Sequence, residues 1–185
     1  MLRTLRRGVG LAALYHTNRS YASTTMLPTQ LPVLVLPGFG GSGPEHWQGL
    51  WAKEAGYTYV EQSSWEEPKL EAWMANLKAA IAASSVPPVL LCHSLGTILT
   101  AHYLANTATC GTIAGAFLVA PPADMETEVI MSLPLDTFRP MPLQELGVPV
   151  TLVMSPDDPY STVEKTEKVG ACSLPTLNAA HQAIT

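Results

Sequence analysis

Between Val89 and Gly96 the chain passes from a strand pattern to a helix pattern with no linker. Val89-Leu90-Leu91-Cys92, restarted after Pro87-Pro88, reads as a short buried strand, and residues 95–105 read as an apolar helix. Two apolar elements can follow one another this closely only through a sharp turn with small residues on either side of its apex. His93-Ser94-Leu95-Gly96 supplies that turn. A serine at such a strand-to-helix corner is a nucleophile elbow. Ser94 is then held above the sheet edge, facing the positive end of the following helix. The plainer alternative is a serine that caps the helix. Gly96 is the small residue two places after Ser94; Cys92 stands two places before it, where glycine is usual.

The rest of the body repeats the alternation. Leu31-Pro32-Val33-Leu34-Val35-Leu36 is an apolar run that ends at Pro37-Gly38-Phe39-Gly40-Gly41-Ser42-Gly43. The spacing predicts helices over 45–55 (Trp47, Leu50, Trp51 on one face), 70–83 (Leu70, Trp73, Met74, Leu77, Ile81) and 162–169. It predicts strands over 57–62 at an edge, 113–120 and 148–154. Residues 171–177 form a poorer candidate strand that contains Pro175. Residues 121–148 are proline-rich with little periodicity, which suits loop and a short helix and is too little for a lid domain. Such alternation implies a three-layer α/β fold, a parallel sheet with helices on both faces. Sites in such sheets lie at the carboxyl ends of the strands. Three loops leave those ends with distinctive chemistry: 37–43, 93–96 and 155–159.

Charge separates the first residues from this body. Arg3, Arg6, Arg7 and Arg19 precede any acidic residue, and Glu45 is the first of those. Residues 26–185 carry six basic and fifteen acidic side chains, a net of −9. An acidic body is unsuited to a phosphate backbone, so nucleic acid is not an expected partner. No apolar run is long enough to span a membrane. Cys92, Cys110 and Cys172 show neither a CxxC spacing nor an even count, so no disulfide scaffold and no thiolate metal site is expected. Residues 1–25 are Arg-, Ser- and Thr-rich and acid-free, as transit peptides are. On a helical wheel Leu2, Leu5, Val9 and Ala12 share a face opposite Arg3 and Arg7. A cut is expected after Tyr21, in Arg19-Ser20-Tyr21-Ala22-Ser23, delivering residues 22–185, whose folded body spans residues 26–185, to the mitochondrial matrix. The alternative is a tail without an address and a cytoplasmic chain.

The chemistry follows from what a serine needs. A base must take its proton, and a carboxylate must orient that base. In an α/β sheet of this kind the order along the chain is Ser, Asp, His. Asp157 and Asp158 follow the strand at 148–154; Asp158, further into the loop, is the candidate acid, and Asp157 shapes the turn. His181 alone among the histidines lies after Asp158. Oxyanion donors are the backbone N–H of Leu95 and that of Phe39 or Gly40. The glycine loop lacks the G-K-[ST] ending of a phosphate loop, so nucleotide binding is not expected. His46 and Trp47, where a helix leaves the glycine loop, are candidate substrate contacts. No metal or organic cofactor is required.

Taken together, these segments resemble the small lid-less α/β-hydrolases that include the retinoblastoma-binding hydrolase and its YdeN-like relatives. The resemblance rests on Leu36-Pro37-Gly38-Phe39-Gly40-Gly41-Ser42-Gly43-Pro44-Glu45-His46-Trp47, on Cys92-His93-Ser94-Leu95-Gly96, on Ala120-Pro121-Pro122-Ala123-Asp124 and on Ser155-Pro156-Asp157-Asp158-Pro159-Tyr160. Trp65, Pro68 and Trp73 fit it too. It implies a Ser94/Asp158/His181 triad that hydrolyses small carboxylic esters, by way of an acyl-enzyme; with only residues 121–148 in place of a lid domain, the pocket is expected to be open and suited to short acyl chains. The C-terminal part departs from the family pattern. Ala180 stands where glycine precedes the histidine, and Ala183 where asparagine follows. A second alignment puts Thr176 at the base position. That alignment leaves a different protein, a catalytically impaired hydrolase fold that binds or scaffolds. Protein partners are not legible in the sequence.

Overall fold

The computed structural model describes residues 12–16, 30–106, 109, 111–171 and 179–182, with 12–16, 170–171 and 179–182 as backbone. Among the described residues, seven strands form one sheet: β1 Ala12–His16, β2 Val33–Leu36, β3 Thr58–Tyr59, β4 Val89–His93, β5 Gly115–Val119, β6 Val150–Met154 and β7 Ala179–Gln182. Their order is β3-β2-β4-β5-β6-β1-β7. The run from β3 to β6 is parallel throughout. The helices are α1 Trp47–Ala55, α2 Leu70–Ala83, α3 Leu95–Leu104, α4 Glu128–Met131 and α5 Val163–Ala171.

Proline sets where three of these strands begin. Pro32, Pro88 and Pro149 each stand immediately before a strand. They have no N–H to offer the ladder, but their carbonyls still accept from it. Val89 N–H donates to Pro32 O, Ala114 N–H to Pro88 O and Ala116 N–H to Pro149 O, at 2.8–2.9 Å. Alternation then sorts the side chains. Leu34, Leu36, Leu90 and Cys92 join the main core with Trp73 and Leu77 of α2 and Ile98 and Leu99 of α3. Val35 and Leu91 face the opposite way and pack with Ala52 of α1. Helices on both faces of a parallel sheet are the expected α/β-hydrolase architecture.

α2 runs as its pattern predicts. α1 does not bury the expected stripe: Leu50 and Trp51 are 48% and 46% exposed. Gln48 and Ala52 are the buried residues instead. A small side chain at 52 lets the helix sit close to the sheet, and Gln48 has backbone carbonyls to satisfy there. Residues 121–148 hold α4 and a 3-10 turn at Asp136–Phe138. They are part of the core, since Ile130, Leu135 and Phe138 are fully buried with α2 and α3.

Two segments differ from the patterns read in the sequence. Ala12, placed on a helical face by spacing, begins strand β1, which pairs antiparallel with β6 and with β7. The expected strand over 171–177 starts on the last residue of α5, and the rest of it lies outside the described residues. The helical face at Leu2, Leu5 and Val9 and the cut after Tyr21 also lie outside them.

Candidate active site

Ser94 follows the last residue of β4 and precedes the first of α3. Its φ of 48° and ψ of −120° are a conformation that a side-chain-bearing residue rarely adopts. Neighbouring bonds over-determine it. Ser94 N–H donates to Val119 O of β5 at 3.0 Å, and Thr97 donates to Ser94 O through both its N–H and its hydroxyl, at 2.9 and 2.6 Å. The Ser94 side chain makes no cap hydrogen bond to α3. The helix-cap alternative therefore does not describe this residue.

Two glycines make the corner possible. A Cβ on Gly96 would lie 2.3 Å from Leu36 O and 2.8 Å from Pro37 O. A Cβ on Gly38 would lie 2.8 Å from Ser94 Cβ and 3.2 Å from Ser94 Oγ. Cys92, at the small position before the serine, is fully buried, with Sγ 3.1 Å from Thr100 Oγ1. Burial pushes its thiol up to about 12, so it is no nucleophile.

The glycine loop curls against Ser94 and is pinned from two sides. Gly41 N–H donates to Gly38 O, and Gly40 N–H donates to Trp65 O at 3.0 Å. The Gly40 amide is thereby occupied, which leaves Phe39 as the freer of the two expected donors. Gln48, which the sequence reading passed over, holds the loop to the sheet. Its Nε2 donates to Leu36 O and Leu91 O at 3.2 and 3.0 Å, and its Oε1 accepts from Ser42 Oγ at 2.8 Å. The signal that could have found it was a polar side chain one turn before Ala52, on the helix face that meets the sheet.

His46 caps α1, its Nδ1 accepting from Gln48 N–H at 3.3 Å. Its ring centroid is 4.8 Å from that of His93, and Trp47 stands edge-on to His93 at 6.0 Å. Trp47 in turn meets the half-exposed Trp51 at 5.1 Å. Burial, with the neighbouring His46 second, pushes His93 down to about 4. Burial also lowers His46. Both rings are neutral near pH 7. The sequence treats His93 as part of the elbow only; the structure gives it the most shielded imidazole of the site.

The two loop aspartates differ. Asp157 is exposed and Asp158 is partly buried. Asp158 Oδ1 accepts from Tyr160 N–H at 2.8 Å, so the turn-shaping contact expected of Asp157 belongs to Asp158. Burial raises the Asp158 carboxyl above its ordinary value. β6, which carries this loop, is two strands from β4. His181 lies on β7, opposite Ala13 of β1, which is itself opposite Met154 at the end of β6. It is thus level with Ser94 along the strands but four strands across from β4. Four strand spacings are roughly 19 Å. The structure does not bring His181 to Ser94.

A cavity of about 340 Å³ lies beyond β5, lined by residues that include Ala123, Met125, Arg139, Met141 and Lys165. Lys165 closes one side by its ion pair with Asp124. Neither Ser94 nor Asp158 lines it. Among the described residues, no group of three or more His, Cys, Asp or Glu could hold a metal ion. No helix among them is long and apolar enough to cross a membrane.

A parallel sheet with a strained serine at a strand-to-helix corner, beside a glycine loop, defines an α/β-hydrolase-type protein. The sequence pattern of the family described as serine hydrolase matches residues 33–182, and the chain belongs to that family. Among solved structures it is similar to a protein of Pectobacterium atrosepticum provisionally described as a YdeN-like hydrolase. The two share 23% identity with a TM-score of 0.62, over 77% of this chain and 72% of that one. That likeness is one of fold. No curated protein matches the chain.

Proposed function

We propose that this serine hydrolase cleaves small carboxylic esters through an acyl-enzyme on Ser94. The observation that carries the reading is Ser94 itself, held at positive φ with its hydroxyl uncommitted to the helix and glycine backbone alongside. Ser94 Oγ attacks the acyl carbon while a base takes its proton; chain order gives that role to His181, which requires β7 to leave its described place four strands from β4. The N–H groups of Leu95 and Phe39 receive the developing oxyanion. Leu95 is the first residue of α3, so its N–H has no partner within the helix. The C–O bond to the alcohol then breaks, and the alcohol leaves with the proton from His181. Water attacks the acyl-enzyme by the same route, releasing the acid and free Ser94. Asp158 holds the imidazole in the required tautomer. His46 and Trp47 line the approach from the α1 side.

Segment 121–148 is spent on the core and adds no lid, which favours an open pocket and short acyl chains. Turnover of p-nitrophenyl acetate and butyrate above that of the palmitate ester, abolished by Ser94→Ala, is the expected result. Preference for the long chain, or full turnover in Ser94→Ala, would overturn it. A second reading, a catalytically impaired binding protein, is favoured by the position of β7. It expects no turnover of any ester by a folded chain. The same proposal takes residues 1–25 as a mitochondrial address ahead of the hydrolase body. Whether they carry a fluorescent reporter into mitochondria tests that part.

A further inference from the structure

β6, α5 and β7 follow one another along the chain, and β6 and β7 point the same way because each is antiparallel to β1. They form a strand–helix–strand unit of parallel strands, the same unit that builds the rest of the sheet. Between its two strands sits a foreign one. Leu14 of β1 is opposite Val153 on one side and Ala180 on the other; Ala13 is opposite Met154 and His181. β1 is the one strand that runs against the others among those described. It also comes from the Arg-rich, acid-free segment that precedes the acidic body.

We propose that β1 is an inhibitory strand: while paired it holds β7 one strand away from β6, and when it leaves, β7 pairs directly with β6 as a sixth parallel strand. The register already suits the exchange, since Val153 and Ala180 share Leu14 as partner. Closing the gap moves His181 one strand spacing, about 4.8 Å, toward Ser94. It also places His181 on the strand next to the one that carries the Asp158 loop, so that acid and base lie at neighbouring strand ends. The cut expected after Tyr21 would release β1. The catalytic consequence rests on His181 as the base; the strand exchange does not.

Cysteine pairs in the full chain test the exchange, with Cys110 and Cys172 replaced by serine. Val153→Cys with Ala180→Cys straddles β1, with Cα atoms about two strand spacings apart, beyond the reach of a disulfide of about 7 Å. Treated with diamide, this pair stays reduced in the parent, whereas Leu14→Cys with Ala180→Cys closes. Adding Leu14→Pro, which a central strand does not tolerate, lets the straddling pair close. Ala12→Pro serves if Leu14→Pro does not melt cooperatively. A straddling pair that closes equally with and without the proline, or in neither, overturns the proposal. Fluorophosphonate labelling of Ser94 reads the catalytic consequence. The proline variant is expected to label at least about tenfold faster than the parent, a gain lost in His181→Ala. Closure of the pair without that gain would leave the strand exchange standing and sink His181 as base. Fast labelling of the parent that depends on His181, with an open straddling pair in the proline variant, would do the reverse.

Discussion

Gly96→Ala tests the corner that presents Ser94. The added Cβ would lie 2.3 Å from Leu36 O and 2.8 Å from Pro37 O, both backbone atoms. An ordinary contact is longer by about 1 Å. β2 cannot yield by that much, because it is laddered to β3 and β4 on its two sides. The start of α3 must move instead, and Ser94 is two residues away. Overpacking of this kind costs about 1–3 kcal/mol, and a rigid backbone neighbour puts the site at or beyond the upper end. Replacing glycine by alanine in a helix returns up to about 1 kcal/mol. The net loss is then about 2 kcal/mol, or a fall in Tm of roughly 4–8 °C for a domain of this size. A displacement of about 1 Å at Ser94, the proposed nucleophile, should also slow fluorophosphonate labelling on the order of 100-fold. Gly43→Ala is the control, since a Cβ there meets nothing within 4 Å. Calorimetry and a labelling time course on the two variants decide the matter. A Gly96→Ala chain that melts and labels like Gly43→Ala would refute the close-approach argument.

Three further outcomes are expected. His93 is held neutral, its pKa falling from 6.5 to about 4, so the unfolded chain takes up a proton before the folded one does. Stability should therefore fall as pH drops from about 6.5 to 4, by up to about 3 kcal/mol, and His93→Asn should flatten that slope in pH-dependent denaturant melts. Asp158 has the opposite sign: its raised pKa makes the folded state lose stability as pH rises through the range above an ordinary carboxylate value. Asp158→Asn should thus melt no lower than the parent at pH 7 while ester turnover falls on the order of 10⁴-fold, and a parallel loss of both would show that the carboxylate is structural. Gln48→Leu removes the donor to Leu36 O and Leu91 O and the acceptor of Ser42, which should cost about 1–3 kcal/mol in urea melts; a midpoint like the parent's would count against the bridge.

The elements that position Ser94 were legible because each has a strong local signature. Pro87-Pro88 marks the start of β4, and α2 carries an unbroken 3.6-residue pattern that the structure reproduces; Pro32 and Pro149, which the sequence reading places within their strands, stand just before them. Gly38 and Gly96 announce close backbone approach, and that approach is what the added Cβ contacts measure. α1 misled because Leu50 and Trp51 look like a buried stripe, whereas the helix turns Gln48 inward to satisfy strand carbonyls. Hydrophobic periodicity cannot register a polar side chain recruited for hydrogen bonding. β1 was illegible for a different reason. The segment it lies in shows charge and apolar spacing, while its strand state depends on partners 135 to 170 residues away, such as Thr151 for His16 and Gln182 for Ala12, on β6 and β7. A base could be proposed from chain order alone; where the strand of His181 docks is a tertiary question that order does not answer.

The proposed chemistry depends on Ser94 being an activated nucleophile. Its most direct test is a fluorophosphonate adduct mapped by peptide mass spectrometry on the full chain. A single modified site is expected on the peptide that spans Leu90 to Thr100, at Ser94, and none in Ser94→Ala. An adduct at another serine, or a folded chain that takes up no label even with β1 disrupted by Leu14→Pro, would contradict it.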